Sequence, residues 1–391
     1  MPRPVLIAGA GIAGLTAALA VARRGREVVL IERADALGEV GAGLQLGPNA
    51  VHALATLGLD AAVAARAERP ATVRSVSAAS GAVLARLPLG EAIRSRFGAP
   101  YLVLPRPALV EVLAEAVAAE PRITLQTATP LLALEDRGDH VVATTGHGTV
   151  EAAAVLGADG LRSAVRTGHL GGPPPRAAGK TAYRATIDGA GLPADVLAET
   201  FLWLARDAHL VHYPIAGGTR LNLVAVVEEA PADGGEIDWN AAGSAAVVAR
   251  AFGGFAEPAR ALVAAATDWR RWPLYAVAPA GTWARGRVAI LGDAAHAMLP
   301  FVAQGAAMAI EDAVVLAAAL AEAATVEDAL RDYAARRRPR VARVVAEAAR
   351  TGRIYHLAGP AAVARDLAMR LAGGDRLIAR LDWLYGWTPP R

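Results

Sequence analysis

V-L-I-A-G-A-G-I-A-G, residues 5–14, sets an apolar run of four against a turn punctuated by Gly9, Gly11 and Gly14. The alanine-rich segment Leu15 to Arg24 follows with helical character, and a second apolar run, Val28 to Ile31, ends on Glu32. Strand, glycine turn, helix, strand and acid is the order of a dinucleotide-binding βαβ unit, in which each glycine has its own task. Gly9 makes the tight turn, Gly11 lets backbone approach a pyrophosphate, Gly14 lets helix pack on strand, and Glu32 accepts bonds from ribose hydroxyls. Ala13 and Arg33 flank these positions and join the cofactor-binding candidates. A glycine-rich turn in an unrelated βαβ unit lacks the acid at this place. The unit alone does not choose between NAD and FAD.

Working outward, a second segment at residues 287–312 reads R-V-A-I-L-G-D-A-A-H-A-M-L-P-F-V-A-Q-G-A-A-M-A-I-E-D. Arg287 to Leu291 has the character of a buried strand, broken by Gly292-Asp293 where a strand must turn. Pro300 and Gly305 bracket a loop, after which Ala306, Ala309, Ile310, Ala313, Val314 and Ala317 recur at helical spacing. A helix therefore begins near Gln304, with bare N–H groups and a positive dipole end turned into that loop. Asp293 offers an acceptor for hydroxyls, and the helix start at Gly305 and Ala306 favours negative charge. An isoalloxazine ring on a ribityl chain needs both. The plainer reading is a strand-turn-helix in which Asp293 caps a turn.

Three further segments lie between these. Gly38 to Gly47 is a glycine-rich loop before a helix starting near Pro48; L-V-L-P-R-P places Arg106 before a helix opened by Pro107; and A-D-G-L-R-S-A-V-R carries Asp159, Gly160, Arg162, Ser163 and Arg166. Together these segments resemble the single-component (group A) FAD-dependent aromatic hydroxylases, most nearly those acting on salicylate, 3-hydroxybenzoate and 6-hydroxynicotinate. The resemblance covers most of the chain. It implies bound FAD, with Gln45 the loop side chain nearest the flavin, Arg106 at the FAD phosphate or ribose, Asp159 ordering its turn, and Asp293 and the following helix at the ring. The fold it implies is a para-hydroxybenzoate hydroxylase fold, α/β: a glutathione-reductase-like FAD-binding Rossmann domain interleaved with an antiparallel β-sheet substrate domain, plus C-terminal helices.

The boundaries expected are 1–70, 98–175 and 280–345 for the FAD domain, 71–97 and 176–279 for the substrate domain, and 346–391 for a C-terminal helical segment. Val73, Val76 and Ala78 face Val83, Ala85 and Leu87 across Ser80-Gly81, a hairpin signal within 71–97. From Lys180 to Trp272, strand-like runs follow one another, so an antiparallel sheet roofing the flavin is expected. Within it, H-L-V-H-Y-P at 209–214 is the stretch of chemical interest. Side chains alternate along a strand, so His209, Val211 and Tyr213 share one face and His212 takes the other. A bulge would exchange the histidines, and either one fits a satisfied core position equally.

By resemblance to the family's H-x-x-x-Y-P, His209 is the base that deprotonates a substrate hydroxyl, Tyr213 holds the substrate, and Pro300 lies beside the oxygen-delivery face. A histidine suits that task because its pKa lies near working pH. His296 is expected to order its loop. Phe301 and Val302 depart from polar residues found in some members, which leaves the substrate open. The activity implied is an NADH- or NADPH-consuming monooxygenase acting through a C4a-hydroperoxyflavin on a small phenolic or hydroxypyridine aromatic acid. A flavin-dependent epoxidase or reductase acting on a non-aromatic substrate is the second reading, and a non-catalytic flavoprotein the third.

Composition sets the outer limits. A chain of 391 residues exceeds one compact core. Its 54% hydrophobic and 20% charged residues suit a folded protein. Cysteine is absent, which removes disulfides and thiolate-held metal, and no metal site is expected. With no long apolar span and no signal peptide, a cytoplasmic protein without membrane contact is expected. Net charge is +3, carried by arginine, since Lys180 is the single lysine. The arginines are scattered except at Arg336, Arg337, Arg338 and Arg340, expected to form a solvated face or interface rather than a nucleic-acid site. Ala329 to Arg350 is a long helix, kinked or interrupted at Pro339. The D-W-L-Y-G-W tail belongs to helices that close over the cofactor domain or pack on another subunit. A monomer or a homodimer fits.

Overall fold

Val5–Ala8 is buried at all four residues, and a strand buried on both faces needs neighbours on both edges to satisfy its backbone. In the computed structural model, which describes residues 3–38, 43–229 and 241–390, it has them. Val28–Ile31 and Ala154–Gly157 flank it in parallel. Ile123–Gln126 and Val288–Ile290 extend the sheet in parallel, and Ala284–Arg285 ends one edge antiparallel. Against this sheet lie the helices Ile12–Ala22 and Gly305–Glu322, both apolar almost all round and buried accordingly. Alanine dominates both, and its small side chain favours helix while letting the two pack closely.

The second sheet has seven strands. Arg270–Ala276, Arg176–Asp188, Arg220–Glu228, Ala208–Ile215 and Thr200–Leu204 follow one another antiparallel. The hairpin Thr72–Ser77 and Val83–Pro88 joins through a parallel pairing with Thr200–Leu204. That parallel pair departs from an all-antiparallel sheet, because the hairpin arrives from a distant part of the chain and not through a tight turn. One face of the sheet carries Phe201, Trp203, Leu210 and Leu223 against the helices Ala245–Ala251 and Glu257–Ala265, which close a core of their own. The other face looks toward the first sheet.

The long helix spans Val326–Tyr355 and runs through Pro339 without interruption. Buried Arg337, Val341 and Val344 hold it on both sides of the proline. The arginine run needs correction. Arg336 and Arg338 are exposed, but Arg337 is fully buried and Arg340 mostly so, one helical turn apart and facing inward. Part of the expected Gly38 to Gly47 loop is the strand Gly43–Leu46, paired with Leu102–Pro105; residues 39–42 lie outside the described residues. Among the described residues, no helix is long and apolar enough to cross a membrane.

Candidate active site

A cavity of about 1370 Å³ lies between the two sheets and extends over the glycine turn. It exceeds the roughly 300–1,000 Å³ typical of single small-ligand sites. Every site residue expected from the sequence lines it except Gly14. A Cβ on Gly14 would stand 1.7 Å from the Gly9 carbonyl oxygen, so Gly14 serves the packing of helix on turn from beneath. Gly9 has φ +103°, and a Cβ there would meet the Ala158 carbonyl at 2.4 Å. Helix Ile12–Ala22 then starts at Gly11 with no side-chain cap, leaving its first N–H groups toward the cavity. Glu32 accepts from the Ala10 and Ala34 amides, at 2.7 and 3.0 Å, one on each oxygen. Each oxygen keeps a lone pair for a hydroxyl. Ala13 and Arg33 sit beside them on the wall.

Asp159 accepts from the Val165 amide at 3.1 Å through one oxygen, while the other is buried with no partner among the described residues. Buried Arg166 donates to the carbonyls of Leu161, Pro173 and Ala294, so it ties this turn to the one that carries Asp293. Through Leu161 it holds the loop that precedes it. Asp293 and Arg106 both reach the cavity; burial draws the Arg106 guanidinium below its ordinary value, and Asp293 opposes the shift. Helix Gly305–Glu322 starts at the cavity with Gly305 and Ala306, also without a side-chain cap. Gln45 accepts from the Tyr101 hydroxyl at 2.5 Å.

A buried charge network fixes this end of the cavity, and it was not read from the sequence. Asp312 accepts from the Gly292 amide (3.0 Å), from His296 Nε2 (2.5 Å) and from Arg337 Nε (2.7 Å). Glu311 accepts from Arg337, Arg340 and Asn49. His296 thus orders the Gly292-Asp293 turn. The signal in the sequence was an acidic pair at 311–312 inside an otherwise apolar helical face.

Cross-strand register decides the other wall. His209 stands opposite Val226 on one side and Leu204 on the other, Val211 opposite Val224 and Leu202, and Tyr213 opposite Asn222. No bulge interrupts the pairing, so His209, Val211 and Tyr213 face the cavity with Val224 and Val226. His212 points to the far side, stacked on Phe201 at 4.7 Å, and burial pushes its pKa down to about 3. Burial likewise holds His209 well below the ordinary imidazole value, with His356 and Lys180 adding to it. Its Nδ1 lies 2.8 Å from His356 Nε2, so Nε2 is the nitrogen left for the cavity. The Phe301 ring meets it edge-on at 5.4 Å, and Pro300 lies alongside on the cavity wall.

Arg184, in the same cross-strand row as Val224 and Val211, lines the cavity and is the residue that strand reading passed over. Its guanidinium lies 4.4 Å over the Trp272 ring and its buried Nε has no hydrogen-bond partner among the described residues. A cation facing an apolar cavity in this state suits an anionic group. The tail closes the cavity from the remaining side through Trp383, Leu384 and Tyr385, with Tyr385 packed edge-on against Phe97 at 5.7 Å. Those aromatics therefore face the chain's own cavity.

Residues 3–348 match the family described as FAD binding domain. The chain is 37% identical over 389 residues to a 3-hydroxybenzoate 6-hydroxylase of Polaromonas naphthalenivorans, covering 98% of this chain and 96% of that one. To a 6-hydroxynicotinate 3-monooxygenase of Bordetella bronchiseptica it is 36% identical over 318 residues, covering 80% of this chain and 81% of that one. Among solved structures, Klebsiella pneumoniae HpxO complexed with FAD and uric acid superposes with a TM-score of 0.85 at 27% identity, covering 98% of this chain and 97% of that one.

Proposed function

The chain belongs to the FAD-binding-domain family of flavoprotein monooxygenases, and from that premise we propose that it hydroxylates a small phenolic or hydroxypyridine acid. In this reading His209 is the base, and Tyr213 and Arg184 hold the substrate. The carrying observation is the single sheet face that places these three side chains together over one cavity. Reduced nicotinamide and dioxygen are its co-substrates. The residues present fit FAD: a turn that no Cβ can enter at Gly9, an orphaned oxygen on Asp159, and an uncapped helix start at Gly305. Gly9, Gly11 and the helix they open would take the pyrophosphate, Glu32 the ribose, Arg106 a phosphate or ribose oxygen, and Asp293 the ribityl hydroxyls. Bound FAD supplies the activation of dioxygen and the transfer of oxygen.

The protein's part is geometry, exclusion of water and one proton. Burial keeps the His209 imidazole neutral at neutral pH, so its cavity-facing Nε2 offers a lone pair to a ring hydroxyl. The resulting oxyanion raises electron density on the ring. Arg184 fits the carboxylate and fixes which ring carbon is presented. The epoxidase or reductase reading needs neither residue, and the relatives bear the names of aromatic hydroxylases and monooxygenases.

The test is coupled turnover of salicylate, 3-hydroxybenzoate, 4-hydroxybenzoate and 6-hydroxynicotinate with NADH and NADPH. At least one acid should stimulate nicotinamide oxidation with matching hydroxylated product. His209→Ala should retain FAD yet lose about 10²- to 10⁴-fold in hydroxylation at neutral pH, the range for a positioned base. Activity should recover in part as rising pH ionises the substrate unaided. Arg184→Met should raise KM for the acid by about 10- to 100-fold, equivalent to a charged hydrogen bond of about 1.5–3 kcal/mol, with less effect on the decarboxylated phenol. Full turnover by His209→Ala would sink the assignment.

A further inference from the structure

His209 does not end at the cavity. Behind it, His209 Nδ1 and His356 Nε2 are 2.8 Å apart, and His356 Nδ1 lies 3.1 Å from Glu228 Oε1. Glu228 is the last residue of its strand and its side chain is 45% exposed, so the chain of contacts runs from the cavity to water. His356 is the C-cap of the thirty-residue helix Val326–Tyr355, where the carbonyl end of a helix favours a transient positive charge. Arg365 donates to the Ile354 and Tyr355 carbonyls at that end, and Lys180 bonds Glu228 and lies 3.1 Å from His356 Nδ1. Burial, with Lys180 adding to it, holds His356 below the ordinary imidazole value against the opposing pull of Glu228 and Asp207. Tyr355 and Phe301 complete the apolar sleeve around the two rings.

We propose that His356 and Glu228 form a proton exit behind His209, carrying the substrate's hydroxyl proton out of the closed cavity to solvent. This rests on the reading of His209 as the base. The step balances as one proton moved through the chain. The substrate O–H bond breaks and its proton bonds His209 Nε2; the Nδ1 proton of His209 passes to His356 Nε2; the Nδ1 proton of His356 passes to Glu228, which releases it to water. The exit uses the tautomer in which Lys180, a donor only, is taken up by Glu228, Glu228 also accepts from His356 Nδ1–H, His356 Nε2 accepts from His209 Nδ1–H, and His209 presents its lone pair to the cavity. His356 is thus a positioning residue. It explains how a buried base of depressed proton affinity can still take a phenol's proton: His209 gives up its Nδ1 proton as Nε2 gains one, so the positive charge does not stay there.

The experiment uses the oxidised FAD-loaded protein and 3-hydroxy-4-nitrobenzoate, whose phenolate is coloured and whose phenol is far less so, mixed in a stopped-flow below the probe's own pKa. The coloured form should appear quickly in the wild type. His356→Ala should slow it about 10- to 100-fold, as when the partner that orients a working imidazole is removed. Added imidazole should restore the rate, since it can occupy the vacated space and shuttle the proton. Glu228→Gln, at the exposed end, should slow the same phase while FAD binding stays unchanged. A wild-type rate in Glu228→Gln, or slowing in His356→Ala that imidazole cannot rescue, would overturn the exit. Wild-type behaviour of His356→Ala beside a silent His209→Ala would remove the exit and leave the base in place. Undiminished colour with His209→Ala would remove both.

Discussion

His209 and His212 lie three residues apart on one strand, and opposite faces of the sheet give them different chemistry. His209 has a hydrogen-bond partner and a cavity, whereas both His212 nitrogens are buried with no partner among the described residues. Because burial lowers the His212 pKa from 6.5 to about 3, the folded protein leaves it neutral over a range in which the unfolded chain binds a proton. A depressed folded pKa makes stability fall as pH drops through that window, by up to about 1.4 kcal/mol per pH unit from this one group. His212→Phe, which keeps the stack on Phe201, should flatten that acid limb. Thermal unfolding of the FAD-loaded protein should give matching Tm values near pH 8 and a higher Tm for the variant below about pH 6; parallel curves would refute the account. The two-residue period of H-L-V-H-Y-P set the histidines on opposite faces, and the unshifted register of the sheet decided that His209 is the one facing inward. That His356 stands behind His209 was not, since 147 residues separate them.

Helix Gly305–Glu322 and the long helix Val326–Tyr355 join through charge as much as through apolar packing. Glu311 and Asp312 are buried on the first, and Arg337 and Arg340 answer them from the second. Removing one partner of a buried pair strands the other charge and typically costs about 3–5 kcal/mol. Arg337→Met should therefore destabilise strongly and loosen the Gly292-Asp293 turn, whose amide Asp312 also holds. Exposed Arg336→Ala should stay within about 0.5 kcal/mol. Denaturant unfolding of the two FAD-loaded variants checks the contrast, and equal midpoints would mean that the network carries no net stability. The helices themselves were legible from their periodicity and from the break at Gly305. The arginine cluster was misread because composition marks a charge run as solvated, and only helical phase against a particular neighbour turns Arg337 and Arg340 inward while Arg336 and Arg338 stay out.

The whole molecule closes one cavity from four remote parts of the chain: the glycine turn, the Asp293 segment, the strand face around His209, and the tail. Deleting residues 374–391 removes Trp383, Leu384 and Tyr385 from that wall. The deletion should lower Tm and release FAD more readily, seen as free-flavin fluorescence, with nicotinamide consumed faster than product forms. Tight FAD and full coupling would show the tail to be dispensable. The sequence by itself determined the βαβ cofactor unit, the Asp293 turn and helix start, and the two faces of the histidine strand, because these depend on backbone geometry and periodicities of a few residues. The tertiary structure alone decided the placing of Arg184 over Trp272, the His209, His356 and Glu228 chain, the acid and arginine network, and the closing tail. Each of these is a contact between residues far apart in the chain, where burial, and no local pattern, selects the partner.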